Sequence, residues 1–153
     1  MFVFLDIDGV LATEDTWDEW FALGSPTDRK HELLDPECVK YVQRLCDRLK
    51  AKVVISSSWR CSHSLGELVG ILERAGLMLD VVGYTESRFD FDRGREIADY
   101  MEVHDLRPQD VLILEDAEVV DPFEARTVRP CFRGDDAGFR GPQYTEALRL
   151  VEG

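Results

Sequence analysis

The sequence has few basic residues and no long apolar run, and each shortage argues against a class of protein. Its 18 lysines and arginines face 31 aspartates and glutamates, which gives a formal net charge of −13. Such a charge speaks against a protein that grips long polyanions over its whole surface, although it leaves room for a local basic pocket. No apolar stretch approaches the ~18 residues that cross a bilayer, and no basic segment precedes the first strand-like run. We therefore expect no membrane span and a cytoplasmic location.

The few cysteines are also too widely scattered to predict a disulfide framework or a zinc site. The four cysteines show no CxxC spacing, which argues against a zinc site. Cys38 and Cys46 lie in one predicted helix, about 12 Å apart at 1.5 Å per residue, and are too far apart to form a disulfide. What remains is a chain of 153 residues that is 44% hydrophobic and 32% charged, which is typical of a single globular domain over residues 1–153.

Two closely spaced aspartates are the most informative feature that the sequence does contain. An apolar run of strand type over residues 2–5 leads directly into Asp6, Asp8 and Gly9. Side chains alternate along a strand, so both carboxylates leave the same face if the extended geometry continues. Two carboxylates that close repel each other unless a cation lies between them, and oxygen ligands favour Mg²⁺. The plainer alternative is that the aspartates only end a strand and open a turn.

Apolar patterning along the rest of the chain predicts strands that alternate with helices. Asp35 and Pro36 mark a helix start, as N-cap and first helical residue, and helical spacing continues to about Lys50. Further strands are predicted at residues 52–55, 79–82, 110–114 and 127–128, with helices between them and at the end of the chain. This order predicts an α/β fold with a parallel sheet covered on both faces. Residues 12–34 lack clear periodicity and are predicted as a loop or small flap with at most one helical turn.

Polar residues interrupt the apolar strands where the strands end. Asp6 and Asp8 follow the first strand, Ser56 to Ser58 the second, and Glu115 and Asp116 the fourth, while Arg93 precedes the helix after the third. Ligands of parallel sheets bind beyond the carboxyl ends of the strands. One such residue would be ordinary turn chemistry, but four sites that converge on one edge favour a functional cluster. The set suits phosphoryl transfer, which needs a carboxylate nucleophile, a carboxyl acid/base, Mg²⁺ and donors to phosphate oxygens.

With these residues, the chain resembles the haloacid dehalogenase (HAD) superfamily over residues 2 to about 121. The segment from Asp6 to Val10 is similar to motif I of that superfamily, DxDG[TV]. The resemblance implies a Rossmann-like three-layer sandwich and an aspartyl-phosphate mechanism. It implies that Asp6 is the nucleophile and a metal ligand, and that Asp8 is the general acid/base and a metal ligand through its backbone carbonyl. Aspartate at the position of Asp8 is typical of the phosphatase members.

Two further motifs of the superfamily match the second strand end and the helix after the third strand. Motif II, a serine or threonine that binds phosphate, matches the serines after the second strand, where we prefer Ser57 over Ser56 and place Ser58 third. Motif III is usually a lysine, and here the candidate is Arg93, with Arg95 as the alternate. Arginine also neutralises phosphate and holds it with two parallel hydrogen bonds.

Motif IV corresponds to the acidic end of the fourth strand. Asp116 resembles the metal ligand of this motif. Glu115 departs from the aspartate that is common there and is assigned a supporting role, as is Asp121. Asp121 or Glu118 would orient metal-bound water.

A narrower resemblance concerns the HAD domains found with "Swiss army knife" RNA-repair proteins. It rests on residues 57–60, on residues 93–97 and on the acidic strand end. It implies a nucleotide or a nucleic-acid end as the phosphorylated substrate. Arg60 then either contacts the substrate phosphate or is a surface or carboxylate-paired arginine. Trp17 and Trp20 either stack on a base or cover the edge of the core.

The sequence also predicts how open the site is. The insertion after motif I, residues 12–34, is only large enough for a flap. Between Ser57 and Arg93 nothing is predicted beyond one helix and one strand, so the domain is predicted to be capless or to carry only a minimal flap. An open site accepts bulky substrates such as polynucleotide ends or phosphoproteins. If the chain is an enzyme, the alternative to a nucleotide or nucleic-acid phosphatase is a phosphoprotein or small-metabolite phosphatase. From another class, the chain would be a catalytically weak binding module that keeps the fold, with Glu115 and Arg93 as signs of decay.

Overall fold

The computed structural model describes residues 1–86, 92–117 and 123–153, which include a five-stranded parallel sheet. The strands are β1 (Phe2–Leu5), β2 (Lys52–Ile55), β3 (Asp80–Tyr84), β4 (Val111–Leu114) and β5 (Thr127–Val128). Their order in the sheet is β3-β2-β1-β4-β5, so that β1 lies at the centre. The predicted parallel α/β sheet is confirmed, and β3 extends beyond the predicted residues 79–82 as far as Tyr84.

Helices cover both faces of the sheet. In the described part of the chain they are α1 (Glu14–Ala22), α2 (Pro36–Leu49), α3 (Leu65–Arg74), α4 (Arg93–Val103) and α5 (Gly141–Glu152). Short 3₁₀ helices occupy Thr27–Leu33, Ser58–Cys61, Pro108–Asp110 and Glu124–Arg126. Val3 and Leu5 of β1 pack in a large apolar cluster with α2, α3 and α5, whereas Phe4 packs in a smaller cluster with Ile97 and Met101 of α4. The fold is therefore the Rossmann-like three-layer sandwich. No helix among the described residues has the length and apolar character needed to cross a membrane.

The predicted start of α2 is confirmed at the level of individual hydrogen bonds. Oδ1 of Asp35 accepts hydrogen bonds from the backbone N–H groups of Glu37 (2.8 Å) and Cys38 (3.4 Å). Pro36 occupies the first helical position, where its missing N–H costs nothing. The helix presents its apolar face to the sheet and ends at Leu49, before Lys50 adopts a left-handed conformation.

Residues 12–34 contain more regular structure than the sequence predicted. A loop with at most one helical turn was expected, but α1 is nine residues long and a 3₁₀ helix follows it. The side chains of Thr13 and Thr16 form a capping box that satisfies the backbone at the start of α1. Trp20 and Leu33 are buried in the larger core cluster, so this flap packs as part of the domain. In α1 the apolar positions are mostly aromatic and lie among acidic residues. The helical periodicity was therefore not recognised from the sequence.

The register of the central strands aligns the first residue after each strand. Leu5 pairs with Ile55 on one side and with Leu114 on the other. The backbone N–H of Asp6 donates to the carbonyl of Leu114 (3.0 Å), and that of Ser56 donates to the carbonyl of Leu5 (2.8 Å). The sheet therefore delivers three polar residues to one level of its carboxyl edge: Asp6, Ser56 and Glu115.

Candidate active site

Three carboxylates form a compact cluster at this edge of the sheet. Asp6, Glu115 and Asp116 each contribute one oxygen, and these atoms all lie within 4.8 Å of one another. Asp6 is 4% exposed and Glu115 is 1% exposed, while Asp116 is partly buried. Clustered carboxylate oxygens are the ligands that hard divalent cations prefer, so the residues present fit Mg²⁺. Glu115, which the sequence assigned only a supporting role, lies inside the cluster.

Burial and mutual repulsion make the cluster costly to ionise. Burial raises the pKa of Asp6 well above its ordinary value, and the neighbouring charge of Glu115 raises it further. Burial likewise raises the pKa of Glu115, while contacts with Asp6 and Arg93 act in the opposite direction. Both shifts favour the protonated carboxyl groups, and a bound cation would act in the opposite direction.

Arg93 connects this cluster to the serine at the end of β2. Its Nε lies 3.0 Å from Oε2 of Glu115, and its Nη1 lies 3.3 Å from Oγ of Ser56. The Oγ of Ser57 instead accepts a hydrogen bond from the backbone N–H of Trp59 (3.3 Å), where it caps a 3₁₀ helix. The geometry therefore favours Ser56 over Ser57 as the hydroxyl beside the cationic group, the reverse of the order preferred from the sequence.

Asp8 is held by two tryptophans from different parts of the chain. Nε1 of Trp17 donates to Oδ1 of Asp8 at 2.8 Å, and Nε1 of Trp59 donates to Oδ2 at 3.0 Å. Each carboxylate oxygen accepts one indole hydrogen bond and keeps a lone pair for a further partner. The pair of donors fixes the orientation of the carboxylate without a cation. Neither contact was predicted, because nothing in the spacing of the tryptophans relates them to Asp8.

Gly9 is required by the close approach of the acidic strand end. Its φ of +81° lies in the left-handed region, and a Cβ at this position would lie 2.3 Å from both Cγ and Oδ2 of Asp116. Gly9 therefore brings the turn after β1 against the metal-ligand candidate of β4. The glycine of the first motif thus has a direct steric role in this chain.

Arg60 belongs to a buried ion pair. Its guanidinium contacts the carboxylate of Glu96, and the two side chains are only 3% and 1% exposed. Its Nη1 also donates to the carbonyl of Ser57, which anchors the segment after β2. This geometry favours the carboxylate-paired arginine over the alternative assignment of Arg60 as a phosphate contact. Arg60 therefore connects the segment after β2 to α4.

A recess of about 500 Å³ opens beside Asp8 and Asp116. Aromatic and acidic side chains line the rest of it: Glu14, Trp17, Asp18, Phe21 and Phe132. Trp20 is buried and donates to the carbonyl of Pro26 (3.1 Å), so of the two tryptophans in α1 only Trp17 faces the recess. The expectation that Trp17 and Trp20 share one role is not supported by this arrangement.

One residue at the end of β3 was not predicted from the sequence. Thr85, which follows β3, was missed; its backbone N–H donates to the carbonyl of Ile55 (3.0 Å), which places it level with Ser56. Its buried hydroxyl has no hydrogen-bond partner among the described residues. Knowledge of where β3 ends would have identified it. The water-orienting candidates, Asp121 and Glu118, lie outside the described residues.

This combination of fold and site defines an α/β domain of the haloacid dehalogenase class, with a D-x-D-G segment after the central strand of a parallel sheet. The chain belongs to the family described as the HAD domain in Swiss Army Knife RNA repair proteins, whose family model it matches over residues 2–137. No curated protein and no solved structure matches it. The family match confirms the resemblance found from the sequence and indicates hydrolase activity. HAD domains generally use Mg²⁺, which the acidic cluster fits.

Proposed function

We propose that the chain is a Mg²⁺-dependent phosphomonoesterase that works through an aspartyl-phosphate at Asp6. The observation that carries this proposal is the position of Arg93, which contacts both Ser56 and Glu115. A cation and a hydroxyl thereby lie beside a buried carboxylate cluster, an arrangement that suits a phosphate group near a carboxylate nucleophile.

Asp6 performs the first displacement. Its carboxylate oxygen forms a bond to phosphorus while the bond from phosphorus to the leaving oxygen breaks, which leaves the phosphoryl group on Asp6. Oδ1 of Asp6 accepts a hydrogen bond from the backbone N–H of Ile7 (2.8 Å), which orients the side chain. Mg²⁺ held by Asp6, Asp116 and the carbonyl of Asp8, with Glu115 in the same cluster, would supply positive charge that offsets the charge on nucleophile and phosphate.

Asp8 moves the protons of both steps. Its carboxyl group donates a proton to the leaving oxygen in the first step and accepts a proton from water in the second. That water attacks phosphorus, the bond to Asp6 breaks, and inorganic phosphate leaves. The two indole donors keep the Asp8 carboxylate in one orientation between these steps.

The proposed substrate is a phosphate on a nucleotide or a nucleic-acid end. The description of the family as a domain of RNA repair proteins supports this choice, as do the aromatic walls of the recess beside Asp8. Arg93 and Ser56 would hold the oxygens of the reacting phosphate, and the leaving group would lie on the side of Asp8, since a proton donor must reach the leaving oxygen.

Hydrolysis of an aryl phosphate, measured with Mg²⁺ and with a chelator, tests this proposal. The wild type should turn over only with Mg²⁺, and Asp6→Asn should lower kcat at least about a thousandfold because it removes the nucleophile. Asp15→Asn, which alters an exposed acid in the first turn of α1, is the matched control and should retain activity.

Each other outcome points elsewhere. Turnover that survives in Asp6→Asn would contradict the assignment of the nucleophile. A wild type without turnover on aryl phosphates, nucleotides, phosphorylated oligonucleotides and phosphopeptides, with several divalent metals, would favour the binding module. Faster turnover of phosphopeptides or small phosphorylated metabolites than of nucleotides and oligonucleotides would favour the alternative phosphatase classes.

A further inference from the structure

A second cavity lies apart from the acidic cluster, between the 3₁₀ helix Thr27–Leu33 and α3. It has a volume of about 520 Å³ and is lined by basic and small residues, among them Lys30, His63, Gly66, Gly70 and Arg74. We call it the basic groove. A cationic cavity is notable in a chain whose formal net charge is −13.

The positive charge of the basic groove is only partly balanced. Nζ of Lys30 lies 3.0 Å from Nε2 of His63, so the ammonium donates to a ring nitrogen and not to a carboxylate. Within the described residues, no carboxylate lies at ion-pair distance from Lys30 or Arg74. Glu67 is the one acidic residue in the lining, and its carboxylate accepts a hydrogen bond from the backbone N–H of Ser64.

Trp59 separates the basic groove from the active site by the width of one side chain. Its indole Nε1 binds Oδ2 of Asp8, whereas its ring stacks on His63 with the centroids 5.9 Å apart. Nζ of Lys30 lies 5.6 Å from the centroid of the same ring. Asp8 and two residues of the basic groove, Lys30 and His63, therefore all contact the indole of Trp59.

We propose that the basic groove is a second phosphate subsite, which binds the next phosphodiester of a phosphorylated oligonucleotide while its terminal phosphate reacts at Asp6. This inference rests on the proposed function, because it takes Asp8 as the side of the leaving group. Lys30 supplies a point charge and Arg74 a planar fork of donors, and both are chemistries that bind phosphate oxygens. The groove thus adds a local basic surface for a short oligonucleotide to a protein whose net charge disfavours a long one.

Two pairs of ligands test whether a second phosphate subsite exists. Thymidine monophosphate and phosphorylated dithymidylate share the terminal phosphate, at the 5′ or the 3′ end, and differ by one nucleoside and one phosphodiester. Their dissociation constants would be measured at low salt with Mg²⁺ in an Asp6→Asn background, which prevents turnover, by following the backbone amide signals of Gly66 and Gly70. We expect the dinucleotide phosphorylated at one of the two ends, 5′ or 3′, to bind about tenfold more tightly than the matching mononucleotide. Its binding should shift the amide signals of both Gly66 and Gly70.

Variants that change the charge or the shape of the basic groove test whether the preference for the dinucleotide depends on this groove. Lys30→Met and Arg74→Met each remove one cation and should reduce the preference about threefold. Gly70→Gln fills the groove, and nothing lies within 4 Å of a Cβ at that position, so the helix accommodates the new side chain. It should abolish the preference while mononucleotide affinity stays within about twofold of the parent. Lys40→Met removes an exposed charge from α2, outside the groove, and should leave the preference unchanged.

The outcomes separate this inference from the proposed function. Equal affinity for mononucleotide and dinucleotide at both ends, or a preference that survives Gly70→Gln, would overturn the subsite. A groove-dependent preference in a protein whose wild type releases no phosphate would keep the subsite and reject the phosphatase. Phosphate release from mononucleotides without any preference for dinucleotides would keep the phosphatase and reject the subsite.

Discussion

Nε1 of Trp59 donates a hydrogen bond to Oδ2 of Asp8 at 3.0 Å, across 51 residues of sequence. The bond connects the segment after β2 to the turn after β1. The orientation of the proposed acid/base therefore depends on a residue that takes no part in the proposed reaction steps. Trp59 is therefore a positioning residue for Asp8.

Trp59→Phe should lower kcat about tenfold and change KM little. The variant keeps an aromatic ring in the same place but removes the donor, so Asp8 samples orientations that do not reach the leaving oxygen. Steady-state kinetics on an aryl phosphate measure the effect. Trp20→Phe is the control, since it loses an indole bond to the carbonyl of Pro26 and none to Asp8. Equal losses of kcat in the two variants would contradict the positioning role.

Gly9→Ala should weaken metal-dependent activity through Asp116. The new Cβ would overlap the Asp116 carboxylate, which must move out of the cluster. We expect the Mg²⁺ concentration for half-maximal activity to rise at least about tenfold. Gly24→Ala is a matched control, because Gly24 also has a left-handed φ (+88°) but open space around its Cβ. Both variants should lose about 1–2 kcal/mol of unfolding free energy from backbone strain, and only Gly9→Ala should change the metal dependence.

The metal-free protein should lose stability as the pH rises above the ordinary pKa values of two buried carboxyl groups, 3.8 for Asp6 and 4.5 for Glu115. The pKa values of Asp6 and Glu115 are raised in the folded state, so the folded protein binds more protons than the unfolded chain above their ordinary values of 3.8 and 4.5. Ionisation of the pair at higher pH therefore destabilises the fold, and Mg²⁺ should restore the stability there. Melting temperatures with a chelator and with Mg²⁺ across this range measure both effects.

Asp6→Asn should flatten that pH dependence, because it removes one of the two buried acids. At neutral pH without metal, its melting temperature should exceed that of the wild type by roughly 3 °C, which corresponds to about 1 kcal/mol in a domain of this size. Asp15→Asn should follow the wild-type curve. A wild-type melting temperature that rises with pH under chelation would refute this account of the cluster.

Arg60→Met should destabilise the fold strongly. The substitution removes the nearer cation of the buried Glu96 carboxylate and leaves only Nη1 of Arg93, 3.8 Å from Oε2, which costs about 3 kcal/mol of unfolding free energy. Combining it with Glu96→Gln should cost less than the sum of the two single changes. Urea denaturation measures these values. Arg29→Met breaks an exposed ion pair with Glu32 and should change stability by less than about 1 kcal/mol. A similarly small effect of Arg60→Met would show that the buried pair is not structural.

The strands and their polar ends were predictable because they depend on local patterns. Apolar runs locate β1, β2 and β4, and parallel pairing then brings Asp6 and Glu115 to one edge without further information. The contact of Ser56 with Arg93 was harder to predict. It depends on the residue at which β2 ends, and a difference of one position exchanges the roles of Ser56 and Ser57.

The side-chain contacts behind the site were not predictable from the sequence. The pair of Arg60 and Glu96 joins a 3₁₀ helix to α4, and the bonds of Asp8 reach tryptophans in two other segments. Such contacts depend on the relative placement of loops and on rotamers, neither of which leaves a periodic signal. The same holds for the basic groove, whose cations come from two separate segments.

The shared register of β1, β2 and β4 makes the catalytic edge sensitive to chain length. Since Leu5 pairs with Ile55 and Leu114, a single-residue insertion or deletion inside one of these strands would turn its terminal polar side chain to the opposite face. Loops outside the three strands are not bound by this register. Indels in homologous chains should therefore collect in the connections and avoid the three central strands, even where the strand residues themselves vary.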